Sequence, residues 1–301
     1  MSELKTYTKQ ALSIEEQIKL LKDRGLNIAD LSKAKKFLGE VSYFRFVQYL
    51  RPMELDKKTH IFKVNSRFED AVAIYNFDTE LRNLMFRAIQ KIEIALRTKI
   101  IHVFSLEYGP FWFINMNLAD DERKFIENLN SIDKEIQRSK EDFIKEHKKN
   151  YNKPAFPPAW KTLELASLGT LSKLYYNFKD KRLKKNIARQ FNLPQHEVLE
   201  SWLHSVSVLR NFCAHHARLW NRLFPNTPQV KASFRGAWIN IKGLEKSKMY
   251  VFACCIAYWL DSLECGLDFK KQLKSLLYSY PQVDPTAMGF VDGWESELLW
   301  K

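Results

Sequence analysis

The stretch from Phe68 to about Leu106 has apolar residues at intervals of three or four positions. They are Ala71, Ile74, Phe77, Leu81, Leu84, Ile89, Ile92, Leu96, Ile100 and Val103. Since this interval places side chains on one face of an α-helix, the stretch predicts a single helix of roughly eleven turns. The pair Gly109-Pro110, which follows it, is typical of a helix end. The pattern therefore favours a helical protein.

Few residues of the chain break helices. Only 9 glycines and 10 prolines occur among 301 residues, and 46% of the residues are hydrophobic. Such a composition supplies the core of a globular protein and favours long helices over a sandwich of short strands. We therefore predict an all-α protein, whose length allows one large domain or two small ones.

Signals for further helices lie on both sides of the long one. Ser13 and Glu16 form a capping-box pattern that opens a helix to about Arg24, with Gly25 at its end. The aromatic-rich run 41–50 fits either a buried helix or a short extended segment. Helical spacing also predicts helices at 27–38, 120–149, 162–178 (with an interruption at 167–170), 179–191, 194–223, 249–263 and 267–278. A loop-like tail anchored by Trp294 and Trp300 follows. For 120–149 we expect a solvent-facing helix pair rather than a mobile basic arm.

The chain is basic, with 48 Lys and Arg residues against 35 Asp and Glu residues and a formal net charge of +13. Such an excess favours a polyanionic partner, because each neutralised phosphate releases condensed counterions. Charge alone does not distinguish RNA, DNA and an anionic membrane surface. A solvated basic surface without a partner is the remaining alternative.

The four cysteines show neither a disulfide framework nor zinc-ligand spacing. Cys254 and Cys255 are adjacent, and Cys213 and Cys265 belong to no CxxC pair. We expect all four to be reduced core thiols. The N-terminus lacks the apolar core of a signal peptide, and Met249–Leu263 is shorter than the roughly 20 residues of a bilayer span. We therefore expect a cytoplasmic protein that does not enter the membrane.

Arg210, Asn211 and His215 lie close together in the predicted helix 194–223. Residues four apart stack on one helix face, so Asn211 and His215 share a face. Arg210 lies roughly 140° around the helix from His215, but its long side chain can swing towards the same end of the helix. A histidine exchanges protons near neutral pH, and an arginine presents a planar charged fork to phosphate oxygens. Cleavage of RNA by its own 2′-hydroxyl needs these groups, the histidine as general acid or base and the arginine to stabilise the pentacoordinate phosphate.

The spacing of this arginine and histidine is not specific by itself, because the chain repeats it. Arg97 and His102 have the same offset within the long helix. The apolar neighbours of His102 indicate that it packs at the edge of the core. A second site at Arg97 and His102 is the alternative hypothesis.

The wider sequence around Arg210 is more specific. The segment Leu209–Arg222 resembles the signature of the abortive infection (Abi) family, of the AbiD/AbiF-like kind, within the HEPN superfamily. Further stretches similar to that family occur in order over nearly the whole chain. They are Ser42–Arg45, Tyr75–Asp78 with Leu81-Arg82, Ile92–Arg97, Pro158–Trp160 with Glu164, Leu168–Ser172, and Met288–Phe290 with Trp294.

This resemblance implies a HEPN-type helical bundle with additional N- and C-terminal helices. We divide the single domain into N-terminal helices (1–110), a charged helical insertion (111–155), motif-bearing helices (156–225), and C-terminal helices with a tail (226–301). The resemblance also implies a bacterial anti-phage endoribonuclease with an Arg-x4-His motif, in which Arg210 and His215 are catalytic and Asn211 is the polar residue after the arginine. Such proteins usually act as dimers whose motifs meet, so we expect a homodimer. RNA is the expected substrate, and a neutralising or guide-like RNA or an antitoxin is a further candidate partner.

Other polar residues are candidates for RNA binding or for positioning. His216 and Arg218 lie directly after the motif, and Glu164 is a candidate to orient His215 or pair with Arg210, with a structural ion pair as an equal alternative. The segment 179–191 has a basic face that fits a phosphate track, although a solvated surface is the commoner explanation of such a run. Its members are Lys179, Lys181, Arg182, Lys184, Lys185 and Arg189.

Several conspicuous residues have a structural explanation. Trp202, Trp220 and Tyr175 lie on apolar helical stripes, and we expect them in the core rather than as stacking platforms for bases. Cys213 fits a small buried residue, since phosphodiester cleavage needs no thiol. The sequence contains no Walker-type glycine loop, HExxH pair, GxSxG elbow or Asp-rich cluster. We therefore expect neither a cofactor nor a catalytic metal.

Two other functions fit the same sequence. A binding protein with this fold would hold a structured or regulatory RNA without cutting it, and a protein-interaction effector would block a phage or host factor. Cleavage of RNA in EDTA that leaves cyclic-phosphate ends distinguishes the enzyme from both. Intact copurified RNA indicates the binding protein, and absence of RNA affinity at low salt indicates the interaction effector.

Overall fold

The computed structural model describes residues 10–232, 234–263 and 266–301, together with Thr6 and Thr8. Its α-helices are α1 (Ile14–Asp23), α2 (Leu31–Glu40), α3 (Tyr43–Leu50), α4 (Phe68–Tyr108), α5 (Glu122–Arg138), α6 (Asp142–Asn150), α7 (Ala159–Thr162), α8 (Leu168–Asn177), α9 (Lys181–Arg189), α10 (His196–Ala214), α11 (Met249–Asp261) and α12 (Phe269–Ser279). Within the ranges described, one antiparallel hairpin of β1 (Glu54–Asp56) and β2 (Ile61–Phe62) is the only sheet. The predicted all-α class is confirmed.

The described chain folds into two compact units. The first contains the residues up to Glu80 together with Tyr278–Val283, and the second contains Leu81–Leu277 together with Asp284–Lys301. The boundary falls within α4. All the candidate site residues named above belong to the second unit.

Serine caps set two helix starts in the first unit. Ser13 and Glu16 form the predicted capping box, in which each side chain bonds to the backbone N–H of the other residue. The hydroxyl of Ser42 accepts a hydrogen bond from the N–H of Arg45 at 3.3 Å. Because this cap satisfies an N–H of the first turn, the aromatic run after it is the helix α3 rather than an extended segment.

The start of α2 differs from the prediction. Asp30 caps this helix by accepting from the N–H of Lys33 at 3.0 Å, so the helix begins at Leu31 rather than at Asn27. Asn27 instead forms an isolated bridge with Arg67. The backbone pairing of Asn27 with a distant segment excludes it from the helix, and spacing along the sequence does not reveal such a contact.

The core of the first unit is aromatic. Rings of α2, α3 and α4 meet at edge-on or tilted angles; they are Phe37, Phe46, Tyr49, Phe68 and Tyr75. The hydroxyl of Tyr49 donates to the fully buried carboxylate of Asp78 at 2.6 Å. A buried carboxylate needs such a donor, which gives the stretch Tyr75–Asp78 a structural explanation.

Helix α10 lies in the core of the second unit, where it packs against α8 and α9. Its Trp202 is fully buried and contacts the rings of Trp238, Tyr258 and Trp259. The indole N–H of Trp202 donates to the carbonyl of Gln229 at 2.7 Å, which satisfies its one polar atom. These contacts fix the axis of α10, and therefore the position of the residues at its end.

The expected core residues of the second unit are buried. Trp220 is 3% exposed and Tyr175 is fully buried, as Trp202 is. The thiols of Cys213, Cys254 and Cys255 are also buried, and burial raises the pKa of Cys255 well above its ordinary value. These core predictions are confirmed, whereas Cys265 lies outside the described residues.

The remaining helices of this unit follow their predictions with adjusted ends. The charged segment forms the expected pair α5 and α6, which bury the apolar residues Phe125, Ile132, Ile136 and Ile144. The interruption predicted at 167–170 lies earlier, between the end of α7 at Thr162 and the start of α8, which Ser167 caps by accepting from the N–H of Thr170. Asp180 caps α9 through two backbone N–H groups.

The C-terminal tail covers the first turn of α11. Trp294 and Trp300 are buried beside Tyr250, which confirms their role as anchors. Gly289 has a positive φ of 86°, and a Cβ on it would lie 2.6 Å from the Cβ of Lys248, so only glycine fits there. In the part of the chain that the structure describes, no helix combines the length and the hydropathy needed to cross a bilayer.

Candidate functional site

The candidate motif lies at the end of α10 and not in its interior. We predicted a helix to Leu223, but α10 ends at Ala214. His215 is the C-terminal cap of the helix, with φ of −92° and ψ of 14°. The next residue, His216, has a positive φ of 54°. The predicted helix end is therefore wrong, and the correction moves His215 to a position where the chain turns.

Two backbone hydrogen bonds close this helix end. The N–H of His216 donates to the carbonyl of Cys213 at 3.1 Å, and the N–H of Ala217 donates to the carbonyl of Phe212 at 2.9 Å. This pair of bonds is a Schellman motif, in which the residue after the cap has a left-handed conformation. Glycine usually holds that position, and histidine is one of the few other residues that adopt it.

The side chains of Asn211 and His215 are both exposed. The N–H of His215 donates to the carbonyl of Asn211 at 2.9 Å, so the helical relation between these two residues is retained at the cap. His216 is exposed as well. The helix end therefore presents two imidazoles and an amide to solvent within six residues of sequence, Asn211 to His216.

Arg210 lies against α4 and is partly exposed. Its guanidinium is 5.6 Å from the ring centre of Phe86, and its Nε is 3.9 Å from Oε2 of Glu93. A separation of 3.9 Å is an ion pair without a hydrogen bond, and among the described residues Nε has no hydrogen-bond partner. The side chain is 34% exposed. Glu93 thus attracts Arg210 but does not occupy its donors.

Glu93 is held in place by a second arginine. Its Oε1 accepts a hydrogen bond from Arg97 at 2.8 Å, and its side chain is only 13% exposed. We did not identify Glu93 from the sequence as the acid at the site. The available signal was its spacing of four residues from Arg97 on α4, within a stretch that resembles the family.

Arg97 is part of the fold. Its side chain is buried, and its guanidinium donates to the carbonyls of Leu163, of Glu164 at 3.0 Å and of Ala166 at 2.8 Å. These carbonyls belong to the turn after α7, which Arg97 therefore attaches to α4. His102 is not packed at the core edge as expected; its side chain is exposed.

Glu164 does not contact the residues that it was a candidate to orient, His215 and Arg210. Its side chain is exposed and lines a groove together with Trp160 and His102. No hydrogen bond or ion pair within the described ranges joins its carboxylate to Arg210 or His215. The carboxylate beside Arg210 is that of Glu93, which lies on α4.

The basic face of α9 is smaller than predicted. Lys179, Lys181, Lys185 and Arg189 are exposed. Arg182 is exposed but forms ion pairs with Glu107 and, at 3.5 Å, with Asp180. A phosphate would have to compete with these two carboxylates for Arg182.

Lys184 does not belong to the exposed face. It is 3% exposed, its Nζ lies 2.9 Å from Oε1 of Glu200, and it donates to the carbonyl of Tyr176 at 2.7 Å. It lies beside the buried Leu183 and Ile187 on the inner side of the helix. Charge patterns along a sequence cannot show that one lysine of a run is neutralised by a residue of the next helix.

Replacing Lys184 with methionine is expected to lower the free energy of unfolding by about 3 kcal/mol, because Glu200 then keeps a mostly buried charge without its partner. Lys185→Met is the matched control, because Lys185 is the next residue and is exposed. Its replacement is expected to change the free energy of unfolding by no more than about 0.5 kcal/mol. Urea unfolding followed by circular dichroism measures both. Equal stabilities of the two variants would contradict the structural role of Lys184.

Two arginines follow the end of α10, Arg218 and Arg222, and Arg222 contacts the last turn of the helix. The carbonyl of Arg218 accepts from Nε of Arg222 at 2.6 Å, and the guanidinium of Arg222 lies 4.5 Å from the ring centre of Phe212. Arg218 itself is partly exposed. Both arginines therefore add positive charge close to the end of α10.

The α10 terminus, defined by Arg210, Asn211, His215 and His216, has the groups of an acid–base phosphate site. An exposed imidazole can exchange protons with a substrate hydroxyl, and a partly exposed guanidinium can donate to phosphate oxygens. Within the residues that the structure describes, no group of three or more His, Cys, Asp or Glu side chains is arranged to hold a metal ion.

Comparison with known families places a match over this site. A family model described as Abi-like protein matches residues 36–221, which is more than half of the chain and includes the whole of α10 and its terminus. Searches of the curated proteins and of the solved structures found no significant match.

Proposed function

Because the chain belongs to the Abi-like protein family, we propose that it is an abortive infection protein that protects bacteria from phage by cleaving RNA in the cytoplasm. The proposed reaction takes place at the α10 terminus through a HEPN-type Arg-x4-His motif. Arg210 and His215 are the catalytic residues, and Asn211 assists them. The reaction uses acid–base chemistry of the side chains and the 2′-hydroxyl of the RNA.

The observation that carries the proposal is the contrast between two arginines beside one carboxylate. Arg97 is buried and bonds to Glu93 and to three carbonyls, which is the environment of a structural residue. Arg210 approaches Glu93 only to 3.9 Å and keeps a third of its side chain exposed, and the exposed His215 follows it by five residues at the end of the same helix. A guanidinium that is oriented while part of its side chain stays exposed suits the binding of a phosphate.

In the proposed reaction His215 takes the proton from a 2′-hydroxyl of RNA. The oxygen attacks the adjacent phosphorus, the bond from phosphorus to the 5′-oxygen breaks, and the leaving oxygen receives a proton from the imidazolium. The products are a 2′,3′-cyclic phosphate and a 5′-hydroxyl. DNA has no 2′-hydroxyl and is not cut.

Arg210 stabilises the additional negative charge that the pentacoordinate phosphorus carries. Its planar fork donates two parallel hydrogen bonds to phosphate oxygens, and Glu93 with Phe86 holds the guanidinium in one orientation beforehand. The amide of Asn211 orients the imidazole of His215 or binds a phosphate oxygen. Such preorganisation is more effective than a flexible side chain, because no reorientation is required during the reaction.

Positive charge around the site favours RNA as the substrate. His216 and Arg218 lie next to the catalytic residues, and the exposed Lys181, Lys185 and Arg189 of α9 provide further phosphate contacts. With a net charge of +13, binding is expected to weaken steeply with salt. We further propose that the protein acts as a homodimer, in which a second copy brings a second motif to the RNA.

The chemistry of the products tests the proposal. Purified protein is incubated with a defined RNA in EDTA, next to the double variant Arg210→Ala/His215→Ala purified in parallel as the blank for contaminating nucleases. We expect the wild type alone to yield 2′,3′-cyclic phosphate ends. A substrate with 2′-deoxyribose at the cleavage position is expected to remain intact there.

Two outcomes would replace the proposed enzyme with another function. RNA that binds to both proteins with the same affinity and is cut by neither would identify a binding protein. Absence of any RNA binding at low salt would favour an effector that contacts other proteins. Cleavage that requires added metal would contradict the proposed chemistry, whichever residues are involved.

A further inference from the structure

We propose that a groove along α4, linked to the α10 terminus through Arg97 and Glu93, binds a guanine base of the RNA strand that is cleaved at that terminus. The groove lies between the side of α4 at positions 98–106 and the chain turn that carries Trp160 and Glu164; it is called the Trp160 groove below. The inference rests on the proposed function in one respect, namely that the bound strand is the RNA that the protein cleaves. The binding of a base to the groove can be tested without any cleavage.

Trp160 is the exception among the eight tryptophans of the chain. Its side chain is 50% exposed. The other seven are buried; they are Trp112, Trp202, Trp220, Trp238, Trp259, Trp294 and Trp300. Exposed aromatic faces in RNA-binding proteins are where unpaired bases stack, and stacking is available to every base because each has a π-face. Trp160 therefore offers one face of a base site.

Glu164 provides hydrogen-bond acceptors next to this indole. Glu164 lies two residues after the end of α7, and its side chain lines the same groove as Trp160. A carboxylate has two acceptor oxygens and binds paired donors. Guanine is the RNA base with two N–H donor groups side by side on one edge, so Glu164 favours guanine over the other bases.

The opposite wall of the groove combines apolar and polar side chains. Ile101 and Leu106, of which Leu106 is 76% exposed, line it together with Thr98, His102 and Ser105. Hydroxyl and imidazole groups can bond to the remaining edge of a base or to its phosphate. Apolar surface with a few hydrogen-bonding groups suits a planar base, which has apolar faces and polar edges.

The groove and the α10 terminus share one set of fixed residues. Arg97 donates to the carbonyl of Glu164 at 3.0 Å and to Glu93 at 2.8 Å, and Glu93 lies 3.9 Å from Arg210. His102 follows Glu93 by nine residues on α4, which is roughly 13 Å along the axis. A stacked strand rises about 3.4 Å per nucleotide, so a few nucleotides connect the two sites.

Fluorescence of Trp160 provides the test. The probes are two 2′-O-methylated pentanucleotides, UUGUU and UUAUU, which cannot be cut by 2′-hydroxyl attack. We expect UUGUU to quench the exposed tryptophan emission at lower concentration than UUAUU, and Trp160→Phe to lose this quenching. Anisotropy of labelled strands should show binding of UUGUU about 10-fold weaker in Trp160→Ala, in line with the loss of one stacked base.

Glu164→Gln tests the base preference separately. This variant is expected to bind UUGUU and UUAUU with equal affinity, while Glu146→Gln, an exposed glutamate on α6, keeps the wild-type preference. Equal quenching by both strands in the wild type, or none by either, would overturn the guanine site. A change of oligomeric state in Trp160→Ala without a change in strand affinity would also overturn it, in favour of a second copy as the occupant.

The two proposals fail in different ways. Preferential binding of UUGUU by a protein that never cuts RNA supports the base site and contradicts the nuclease. Cleavage of unmodified RNA without quenching of Trp160 contradicts the base site and leaves the nuclease proposal intact. If both hold, sequencing of the cleavage products is expected to show a guanine at a fixed distance from the cut, and Glu164→Gln is expected to lose that preference while it still cleaves.

Discussion

Replacing His215 with alanine is expected to lower the rate of RNA cleavage by about 10²–10⁴-fold, the range that general acid–base catalysis contributes. In the proposed reaction this imidazole moves a proton to and from the reacting oxygens, and alanine has no group that can do so. The measurement is single-turnover cleavage of a labelled RNA in EDTA. Binding of the same RNA is expected to change little, because the arginines and lysines around the site remain to bind its phosphates.

The loss should not come from unfolding. The side chain of His215 is exposed, and its backbone at φ of −92° is one that alanine adopts without strain. His204→Ala is the matched control, since it removes an exposed imidazole from the same helix α10. If His204→Ala and His215→Ala cleave equally well while both are folded, the assignment of His215 is wrong.

Arg210→Lys provides a second arm of the same experiment. Lysine keeps the positive charge but loses the planar fork that Glu93 and Phe86 orient. We expect cleavage to fall by about 10²-fold, as for removal of one oriented donor from a transition state. Retention of full activity in Arg210→Lys would mean that Arg210 acts through charge alone.

The helical character of this chain follows from local rules. The period of the apolar residues predicted α4 almost to its ends, and the capping box at Ser13 marked the start of α1. Both features depend on residues within one or two turns of each other, where backbone geometry dictates which side chains are neighbours. The burial of Trp202 and Tyr175 likewise follows from their place on apolar stripes.

The end of α10 could not be predicted by the same rules. Apolar spacing continues through Leu219 and Trp220, which are buried although they lie beyond the helix. The Schellman motif at this end uses His216 in the left-handed conformation, and histidine carries no signal comparable to glycine. The motif was therefore identified from its residue types and its resemblance, while its position at a helix cap required the structure.

The ion pairs of the charged residues could not be predicted from the sequence either. Lys184 belongs to a basic run, yet it is neutralised by Glu200 of the next helix. Glu164 was considered as the acid of the site, but Glu93 lies there. These pairings join residues that are distant in sequence, and a single sequence without a structure does not show which charges meet.

Replacing Arg97 with leucine is expected to lower the free energy of unfolding by more than about 5 kcal/mol. Removing one partner of a buried ion pair costs about 3–5 kcal/mol, and each buried carbonyl that loses its donor adds about 1–3 kcal/mol. Arg97 pairs with Glu93 and serves three carbonyls in the turn after α7. Since domains are stable by about 5–15 kcal/mol, the variant should be largely unfolded in thermal and urea melts.

Two further variants make this result specific. His102→Leu, an exposed change on the same helix, is expected to alter stability by no more than about 0.5 kcal/mol. Glu93→Leu combined with Arg97→Leu is expected to regain part of the loss, because no unpaired charge is left in the interior. The same variants distinguish a structural role of Arg97 from a second catalytic site at Arg97 and His102. If Arg97→Leu melts like the wild type but no longer cleaves RNA, Arg97 is a functional residue and the chain has a second site, as the repeated spacing first suggested.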